Sequence, residues 1–489
     1  MRQQGTLAGL ALAAFLALSA LAPARAPAVT ASAAGAPAVT VTENIPLRPV
    51  PPAYLGFSID PANLCYVVQL AQTDPAFAQL FRTIDPGGGV FRVGGNTGDA
   101  KASWSTTAAA PSCAWNKLVM TPSLVQSFFA FAASVGYKVM WQVPLNNGQP
   151  AADAAEAAYV SAMPGLMSIE IGNEPNYYAG AAGKVAAIIA DWQAVRTDYL
   201  ADGGTAPLTG SAASVGATWW STPFMDAAAP DLAAMTGHWY VASATSNPTC
   251  TTLLAAPGAT VMAAAVARAA SFGLPFIMNE TNTYKSQGMP GVSNAYCSAL
   301  WAASYSLNGL AAGAQGIYFH GTADYAPGNS AGKNQIYTPV TTSGTPAPEF
   351  YGMLFAAQMT AAGGSTVGVT AAGTPAMDAF AVAGADGNLR LALVNRSATP
   401  YTVPVTTADP YGSASEIALA APSPGSLSGV TLGGTAVAGD GTWAPVPQPV
   451  AVAGTASVIT VPADTGVIVT YVPASSWRLS AAARRSSDE

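Results

Sequence analysis

Eight short apolar segments alternate with helical patterns between residues 54 and 362 of this 489-residue chain. Each segment is almost continuously apolar, which is typical of strands whose two faces are both covered. The predicted strands are residues 54–60, 89–96, 138–144, a strand that ends at Glu174, 207–211, 235–240, a strand that ends at Glu280, and 316–320. This rhythm predicts an α/β fold with a parallel sheet, and eight units favour a closed (β/α)8 TIM barrel.

The helical patterns between the strands are rich in alanine. Thr121 is predicted to cap a helix that begins at Pro122, and further helices are predicted at residues 151–163, 185–199, 260–271, 294–310 and 348–359. An open doubly wound sheet is the alternative fold, but it usually carries a glycine-rich turn after its first strand. Asp60, Pro61, Ala62 and Asn63 occupy that place, which argues against it.

The composition changes near residue 363, where short alternating segments separated by Gly, Pro, Asp and Thr replace the helical patterns. This change predicts a β-sandwich at residues 363–474, after a barrel at residues 54–362. The alternating residues 37–53 are expected to form an edge strand that joins the sandwich. The polar and basic residues 475–489 are expected to form a disordered tail.

The N-terminal segment has the pattern of a secretory signal peptide. Arg2 precedes an uncharged apolar run, and small residues follow it. Cleavage is expected after Ala26 or Ala33, and the second is preferred because Pro27 follows the first, so residues 1–33 are the predicted signal peptide. A retained membrane anchor is the alternative, but the run is short. A secreted, extracellular protein without membrane contact is therefore expected.

Four cysteines, Cys65, Cys113, Cys250 and Cys297, agree with export, and their spacing matches no zinc motif. Pairing of sequence neighbours, Cys65 with Cys113 and Cys250 with Cys297, closes the shorter loops and is favoured over the two other pairings. Free buried thiols are the alternative.

The chain carries few charges, with 9% charged residues and a net charge of −7. No basic patch is supplied, which argues against nucleic acid as a partner. The sequence has no metal-ligand spacing, nucleotide-binding loop or nucleophile elbow, so we expect neither a metal nor another cofactor.

Two predicted strands end at an Asn-Glu pair, Asn173-Glu174 and Asn279-Glu280. Pro175 follows the first pair and ends that strand. Because the working face of a barrel lies at the carboxyl ends of its strands, we expect both carboxylates at one mouth. A protonated and an ionised carboxyl group on either side of a glycosidic bond are the minimum for its hydrolysis.

Other polar side chains fall at the same strand ends. They include Asp60, Asn96, His238, Tyr240, Tyr284 and His320. Both histidines of the chain are among them, which favours a site over separate structural roles. Arg92 lies within an apolar strand, where an unpaired charge is costly, so we expect it to pair with Glu170 or Glu280. Glu170 shares the strand parity of Glu174, and a structural ion pair with Arg92 is its preferred role.

These segments resemble those of clan A retaining glycoside hydrolases, whose strand four carries the acid/base and whose strand seven ends in the nucleophile. The wider pattern resembles glycoside hydrolase family 79, the β-glucuronidase and heparanase family. The matching segments are residues 91–96, 170–175, 238–240 and 337–340. The resemblance covers most of the chain after the signal peptide, and implies a barrel with a β-sandwich built from both chain ends.

The resemblance also implies roles for single residues. Glu174 would be the acid/base, Glu280 the nucleophile, Asn173 a ligand of the sugar 2-hydroxyl and Tyr240 a partner of the nucleophile. Tyrosines in the loops after strands seven and eight would meet the glucuronate carboxylate, and the candidates are Tyr284, Tyr325 and, first, Tyr337 with the loop before it. Trp219 or Trp220 is a candidate for stacking on a sugar.

The activity implied is that of a secreted retaining β-glucuronidase that removes terminal β-linked glucuronic acid from glycans or glycosides. Another clan A β-glycosidase, of glucosidase, xylanase or arabinofuranosidase type, is one alternative, and its site would need no anion receptor. A non-catalytic carbohydrate-binding barrel is another. The scarcity of Lys and Arg argues against heparanase-like action on polyanions.

Overall fold

The computed structural model describes residues 37–323, 336–373 and 376–474. The predicted signal peptide, Tyr325 and the predicted tail lie outside the described residues. In chain order, the strands are β1 (Ala38–Pro49), β2 (Leu55–Ile59), β3 (Val90–Val93), β4 (Ala102–Trp104), β5 (Ser112–Ala114), β6 (Lys117–Met120), β7 (Lys138–Val143), β8 (Leu166–Ile171), β9 (Leu208–Ser214), β10 (Leu232–Ser243), β11 (Phe276–Lys285), β12 (Gly316–His320), β13 (Ser365–Ala372), β14 (Met377–Ala383), β15 (Leu389–Asn395), β16 (Tyr401–Thr407), β17 (Tyr411–Ala420), β18 (Thr431–Leu432), β19 (Gln448–Val450), β20 (Val452–Ala453), β21 (Ala456–Val461) and β22 (Thr465–Pro473). The helices are α1 (Leu64–Thr73), α2 (Pro75–Ile84), α3 (Asn96–Lys101), α4 (Pro122–Ser134), α5 (Pro150–Ser161), α6 (Val185–Ala201), α7 (Thr218–Ala228), α8 (Cys250–Leu254), α9 (Ala259–Ser271), α10 (Tyr296–Ala312) and α11 (Pro348–Thr360).

Strands β2, β3 and β7–β12 form a closed barrel, in which every strand is parallel to its neighbours and β12 returns to pair with β2. The predicted (β/α)8 barrel is therefore confirmed. The bounds of some strands differ from the prediction. Strand β8 ends at Ile171, three residues before Glu174, and β11 continues past Glu280 to Lys285. Asn96 is not part of a strand but begins α3.

The predicted start of helix α4 is confirmed. Pro122 is its first residue, and the Thr121 hydroxyl accepts a hydrogen bond from the Leu124 amide at 3.4 Å. This hydroxyl satisfies one of the amide groups that the first turn of a helix leaves without a partner.

The chain between β3 and α4 forms a small sheet of β4, β6 and β5, which the sequence analysis did not predict. A disulfide joins Cys113 on β5 to Cys65 on α1. A second disulfide joins Cys250 on α8 to Cys297 on α10. These are the two pairs of sequence neighbours that the short loops favoured.

The remaining strands form the predicted sandwich, and β1 joins it. Strand β1 lies between β13, to which it is antiparallel, and β16, to which it is parallel. The expectation of an edge strand was therefore wrong, because both sides of β1 are paired. Its alternation explains the position: Val39 and Val41 are buried in the sandwich core, while Ala38 and Thr40 are exposed.

Helices α10 and α11 connect the barrel to the sandwich. Both are buried over most of their length, and their apolar side chains share one core with inner residues of the sandwich strands. The Tyr296 hydroxyl donates to the carbonyl groups of Leu419 and Asp464, at 2.6 and 2.9 Å. Among the described residues, no helix has the length and the apolar run needed to cross a membrane.

Candidate active site

A cavity of about 440 Å³ opens at the carboxyl ends of the barrel strands. Its walls carry eight of the residues singled out in the sequence: Asp60, Asn96, Glu174, His238, Tyr240, Glu280, His320 and Tyr337. Its volume lies in the range that is usual for small-molecule sites. Side chains from all parts of the chain between residues 60 and 337 thus meet in one place.

Glu174 is placed by an unusual turn. Gly172 and Glu174 both have left-handed backbone conformations, with φ of 86° and 47°. The Glu174 amide donates to the carbonyl of Ala212 on β9 at 2.7 Å, and Pro175 then begins a short 3-10 helix. A left-handed glutamate costs conformational energy, and such residues concentrate at functional sites.

Glu280 is placed by a β-bulge. Along β10 and β11, Gly237 pairs with Met278, but the next residue, His238, pairs with Glu280, so Asn279 is an extra residue in β11. Two consecutive side chains can therefore face the barrel interior. The Asn279 amide donates to both carboxylate oxygens of Glu170 at 2.8 Å, and Glu280 points into the cavity.

Arg92 connects the groups below the cavity. Its Nη1 lies 2.6 Å from Glu280 Oε2 and 3.2 Å from Ser58 Oγ. Its Nη2 lies 3.0 Å from Glu170 Oε2 and 2.6 Å from Asn173 Oδ1. Both carboxylates that the sequence offered as partners of Arg92 are thus its partners. The planar guanidinium can bridge them because its nitrogen atoms point in fixed, separate directions.

His238 lies between the two candidate catalytic carboxylates. Its Nδ1 is 3.3 Å from Glu174 Oε1 and 3.8 Å from Glu280 Oε2. One ligand atom from each of the three side chains lies within 4.8 Å of the others. A metal ion could contact all three at this spacing. The guanidinium of Arg92, 2.6 Å from Glu280, opposes a second positive charge there.

The surroundings of Glu280 favour its ionised form. Burial by itself would raise the pKa of this carboxyl group. Electrostatic interactions with His320, His238 and Arg92 and a hydrogen bond from Tyr240 outweigh burial, and hold the pKa of Glu280 well below its usual range. The Tyr240 hydroxyl donates to Glu280 Oε1 at 2.9 Å.

Asp60, Asn96 and His320 form another part of the wall. Burial raises the pKa of Asp60, although this carboxylate accepts hydrogen bonds from the Thr97 hydroxyl and the Ala62 amide. The side-chain oxygen Oδ1 of Asn96 accepts a hydrogen bond from the side-chain Nδ2 of Asn173 at 3.0 Å. His320 Nδ1 lies 3.0 Å from Ser58 Oγ.

Not every residue singled out in the sequence lies on the cavity. Asn173 is buried beside it, and its side chain contacts Arg92 and Asn96. Tyr337 lines the cavity, with its ring centroid 5.7 Å from that of Tyr240 and 6.2 Å from that of His320.

Three aromatic candidates require correction. Tyr284 is buried outside the cavity lining, and its hydroxyl lies 3.3 Å from that of Thr252. Trp220 is a core residue that stacks on Phe224, and Trp219 is on α7 outside the cavity lining. These residues failed as site candidates because their distance from a strand end in sequence does not fix the direction of their side chains.

Sequence reasoning also missed part of the wall. The further lining residues are Trp115, Tyr177, Ser214, Trp239, Ala242, Lys285 and Ser286. Tyr177 follows Glu174 by three residues and could have been found from that spacing. Trp115 had no such signal, because it lies in the turn between β5 and β6 of the unpredicted small sheet.

Known proteins resemble this chain in sequence over a limited segment. No protein family model matches it. A β-glucuronidase from Aspergillus niger is 32% identical over 141 residues, which are 28% of this chain and 25% of that protein. A β-glucuronidase from Neurospora crassa is 34% identical over 87 residues, which are 18% of this chain and 15% of that protein. The matched segments thus span a quarter or less of these relatives.

Solved structures resemble the chain over most of its length. A 4-O-α-L-rhamnosyl-β-D-glucuronidase from Fusarium oxysporum has a TM-score of 0.70 at 20% identity, and the match covers 88% of this chain and all of that one. A family 51 arabinofuranosidase from Xanthomonas axonopodis has a TM-score of 0.65 at 14% identity, over 89% of this chain and all of that one. These likenesses show a shared fold. Sequence and fold together support the resemblance of this chain to the β-glucuronidases of glycoside hydrolase family 79.

Proposed function

We propose that this protein is a retaining β-glycosidase with Glu174 as acid/base and Glu280 as nucleophile. The observation that carries the proposal is the spacing of the two side chains across one cavity, where a carboxylate oxygen of each lies within 4.8 Å of the other. Retaining enzymes hold their carboxyl groups about 5–5.5 Å apart, whereas inverting enzymes leave about 6.5–9.5 Å for a water molecule.

In the first step, a Glu280 oxygen attacks the anomeric carbon while the bond from that carbon to the glycosidic oxygen breaks. Glu174 gives its proton to the departing oxygen. The charges and the hydrogen bond around Glu280 favour the ionised nucleophile that this step needs. One N–H of the Asn173 amide donates to Asn96, and we assign the other to the sugar 2-hydroxyl.

In the second step, Glu174 takes a proton from a water molecule, and the water oxygen attacks the anomeric carbon. The bond between this carbon and Glu280 breaks, so the enzyme returns to its initial state and the sugar keeps its configuration. Arg92 and Tyr240 again stabilise the carboxylate that leaves, because each contacts a different oxygen of Glu280.

We further propose β-linked glucuronic acid as the sugar. Two sequence relatives carry the name β-glucuronidase, and a rhamnosyl-glucuronidase shares the fold. Tyr337 lines the cavity beside Tyr240 and His320, and we assign the glucuronate carboxylate to this part of the wall. The two disulfides agree with a secreted protein, because disulfides persist in oxidising compartments.

The test compares hydrolysis of 4-nitrophenyl β-glucuronide and 4-nitrophenyl β-glucoside, with the anomer of the first sugar product read by NMR. We expect preference for the glucuronide and release of the β-anomer. Glu280→Gln should lower kcat by at least about 10³-fold. Glu416→Gln, in the sandwich strand β17, is the matched control and should keep full activity.

Each part of the proposal can fail separately. Preference for the glucoside would point to another clan A activity of the same site. First release of the α-anomer would overturn the retaining mechanism. Full activity of both Glu174→Gln and Glu280→Gln would leave a carbohydrate-binding barrel as the better explanation.

A further inference from the structure

Two aromatic side chains that line the cavity are each in contact with a lysine ammonium group. The Lys285 ammonium lies 5.8 Å from the ring centroid of Tyr177, and both residues line the cavity. The Lys101 ammonium lies 4.5 Å from the ring centroid of Trp115, which also lines it. A cation over an aromatic face at such distances is a favourable contact.

The position of Tyr177 relates this wall to the leaving group. Tyr177 ends the 3-10 helix Pro175–Tyr177, which begins immediately after Glu174. An acid/base residue gives its proton to the leaving-group oxygen, so the side chains beside it border the space that the leaving group occupies. Tyr177 is 60% exposed, although large aromatic side chains usually bury most of their surface. Much of the Tyr177 side chain is therefore open to a ligand.

Lys285 supplies a positive charge to the same space. It ends β11, five residues beyond Glu280 or about 16 Å along an extended strand, so its backbone stands at the rim. Among the ion pairs between described residues, none involves Lys285. Its charge is thus available, in a cavity whose acidic lining residues are Asp60, Glu174 and Glu280.

The turn after Lys285 is held in an uncommon conformation. Ser286 and Gln287 are left-handed, with φ of 67° and 75°. The Gln287 carbonyl accepts a hydrogen bond from the Ile336 amide at 2.7 Å, next to Tyr337. Strained non-glycine residues persist where the surrounding structure fixes them. This turn therefore gives the end of β11 a defined position at the rim.

We propose that Tyr177 and Lys285 form a leaving-group subsite that selects an acidic unit next to the scissile bond. Such a unit has a flat aromatic or pyranose face for Tyr177 and one carboxylate or sulfate for Lys285. A single lysine recognises one anionic substituent, which differs from the basic cleft that a polyanion would need. This inference rests on the proposed function, because Glu174 as acid/base defines the side of the leaving group.

The test uses two substrates that differ in charge. Wild-type protein is compared on 3-carboxyphenyl and 3-carbamoylphenyl β-glucuronides, and the ratio of their kcat/KM values is the readout. We expect Lys285→Met to lower this ratio about fivefold, because the loss falls mainly on the substrate that carries the carboxylate. Tyr177→Ala should lower kcat/KM for both substrates. In the wild type, the ratio should fall as salt rises from about 20 mM to about 500 mM.

Lys138→Met is the matched control, because Lys138 is an exposed lysine at the first residue of β7, on the opposite face of the barrel. It should leave the ratio unchanged. Equal loss on both substrates in Lys285→Met, or a ratio that this variant does not alter, overturns the inference.

The result also separates this inference from the proposed function. If the wild type hydrolyses another β-glycoside but no glucuronide, the same two aglycones are placed on that sugar. A ratio that still depends on Lys285 then upholds the subsite, although the glucuronidase proposal has failed. If no β-glycoside is hydrolysed, both fail.

Discussion

Arg92 is the side chain that connects most of the site. Its guanidinium bonds Glu280, Glu170 and Asn173, which come from β11, β8 and the turn after β8. Arg92 is fully buried, and the burial of an arginine is costly unless its charge is paired. Here two carboxylates share it, so the same contacts that make its burial tolerable also orient the candidate nucleophile.

Tyr240 offers the sharpest test at the residue scale. Tyr240→Phe removes the 2.9 Å hydrogen bond to Glu280 but keeps the ring. Because that bond helps to lower the pKa of Glu280, its loss should move the acidic limb of the kcat/KM profile to higher pH. Loss of a hydrogen bond to a charged group should lower kcat/KM by about 10- to 100-fold. Hydrolysis rates between pH 3 and pH 8 measure both effects.

The control for this variant is Tyr411→Phe. Tyr411 is on β17 in the sandwich, where its hydroxyl meets Glu43 at 3.3 Å. This change should leave the pH profile unaltered. An unchanged acidic limb in Tyr240→Phe would contradict the role given to Tyr240.

At the scale of elements, the small sheet of β4, β5 and β6 matters because Trp115 brings it to the cavity wall. Cys113 on β5 is joined to Cys65 on α1, so the disulfide fixes this sheet to the barrel. The covalent bond therefore restricts how far Trp115 can move from the site.

The two disulfides form a matched pair for an experiment. They close loops with sequence separations of 48 and 47 residues, so loop entropy predicts about 4 kcal/mol of stability for each. We expect Cys65→Ser/Cys113→Ser and Cys250→Ser/Cys297→Ser to lose similar free energy of unfolding in urea. Only the first pair should raise KM, because Trp115 of the site cavity follows Cys113 by two residues.

Kinetics and urea unfolding of both double variants supply the comparison. An equal rise in KM for the two would show that the small sheet has no particular role in binding. A normal KM in both would give the same answer.

At the scale of the whole molecule, buried carboxyl groups outside the proposed catalytic pair predict how stability depends on pH. Burial raises the pKa of Glu156 and Glu349 to about 8, that of Asp99 and Asp153 to about 7, and that of Asp85 to about 6. Each of these values lies above the value of about 4 expected for the unfolded chain. The folded protein therefore binds more protons than the unfolded chain between about pH 4 and pH 8.

The sign of the effect follows from linkage. A raised pKa in the folded state gives stability that is complete below the unfolded value and is lost as pH rises through the folded value. We expect the free energy of unfolding to be larger at pH 5 than at pH 8, as measured by urea denaturation. Glu349→Gln should reduce this difference in stability, because glutamine does not titrate. Its amide oxygen can still accept the hydrogen bond from Asn282.

Asp440→Asn is the control, because Asp440 is an exposed residue of the sandwich. Its pKa is lowered by hydrogen bonds from Thr442, so its change should not flatten the dependence between pH 5 and pH 8. A protein that is equally stable at both pH values would contradict the account of buried protonated carboxyl groups.

Local sequence patterns predicted the barrel because its elements are locally encoded. Near-continuous apolar segments favour buried parallel strands, and Thr121-Pro122 marks the start of a helix by chemistry that needs no distant partner. The edge assignment of β1 failed because pairing depends on strands more than 300 residues away, as with Val41 and Val369. Alternation shows that a strand has one buried face and leaves its neighbours open.

Side-chain direction within the site was less predictable. Strand β11 continues to Lys285, so Tyr284 lies within the strand and is buried, whereas Lys285 lines the cavity. Trp115 lies in the turn between β5 and β6 of the small sheet, and does not follow the end of any barrel strand. Both cases depend on contacts between elements that are distant in sequence.

The sequence by itself determined the eight barrel strands, the chain position of both Asn-Glu pairs and the need for a partner of Arg92. Each of these follows from hydrophobic pattern, turn chemistry or the cost of burying a charge. Only the tertiary structure decided that Arg92 bridges two carboxylates and that Glu174 and Glu280 stand within 4.8 Å. Closure of the barrel sets these distances, because it brings strands four and seven to opposite sides of one narrow mouth.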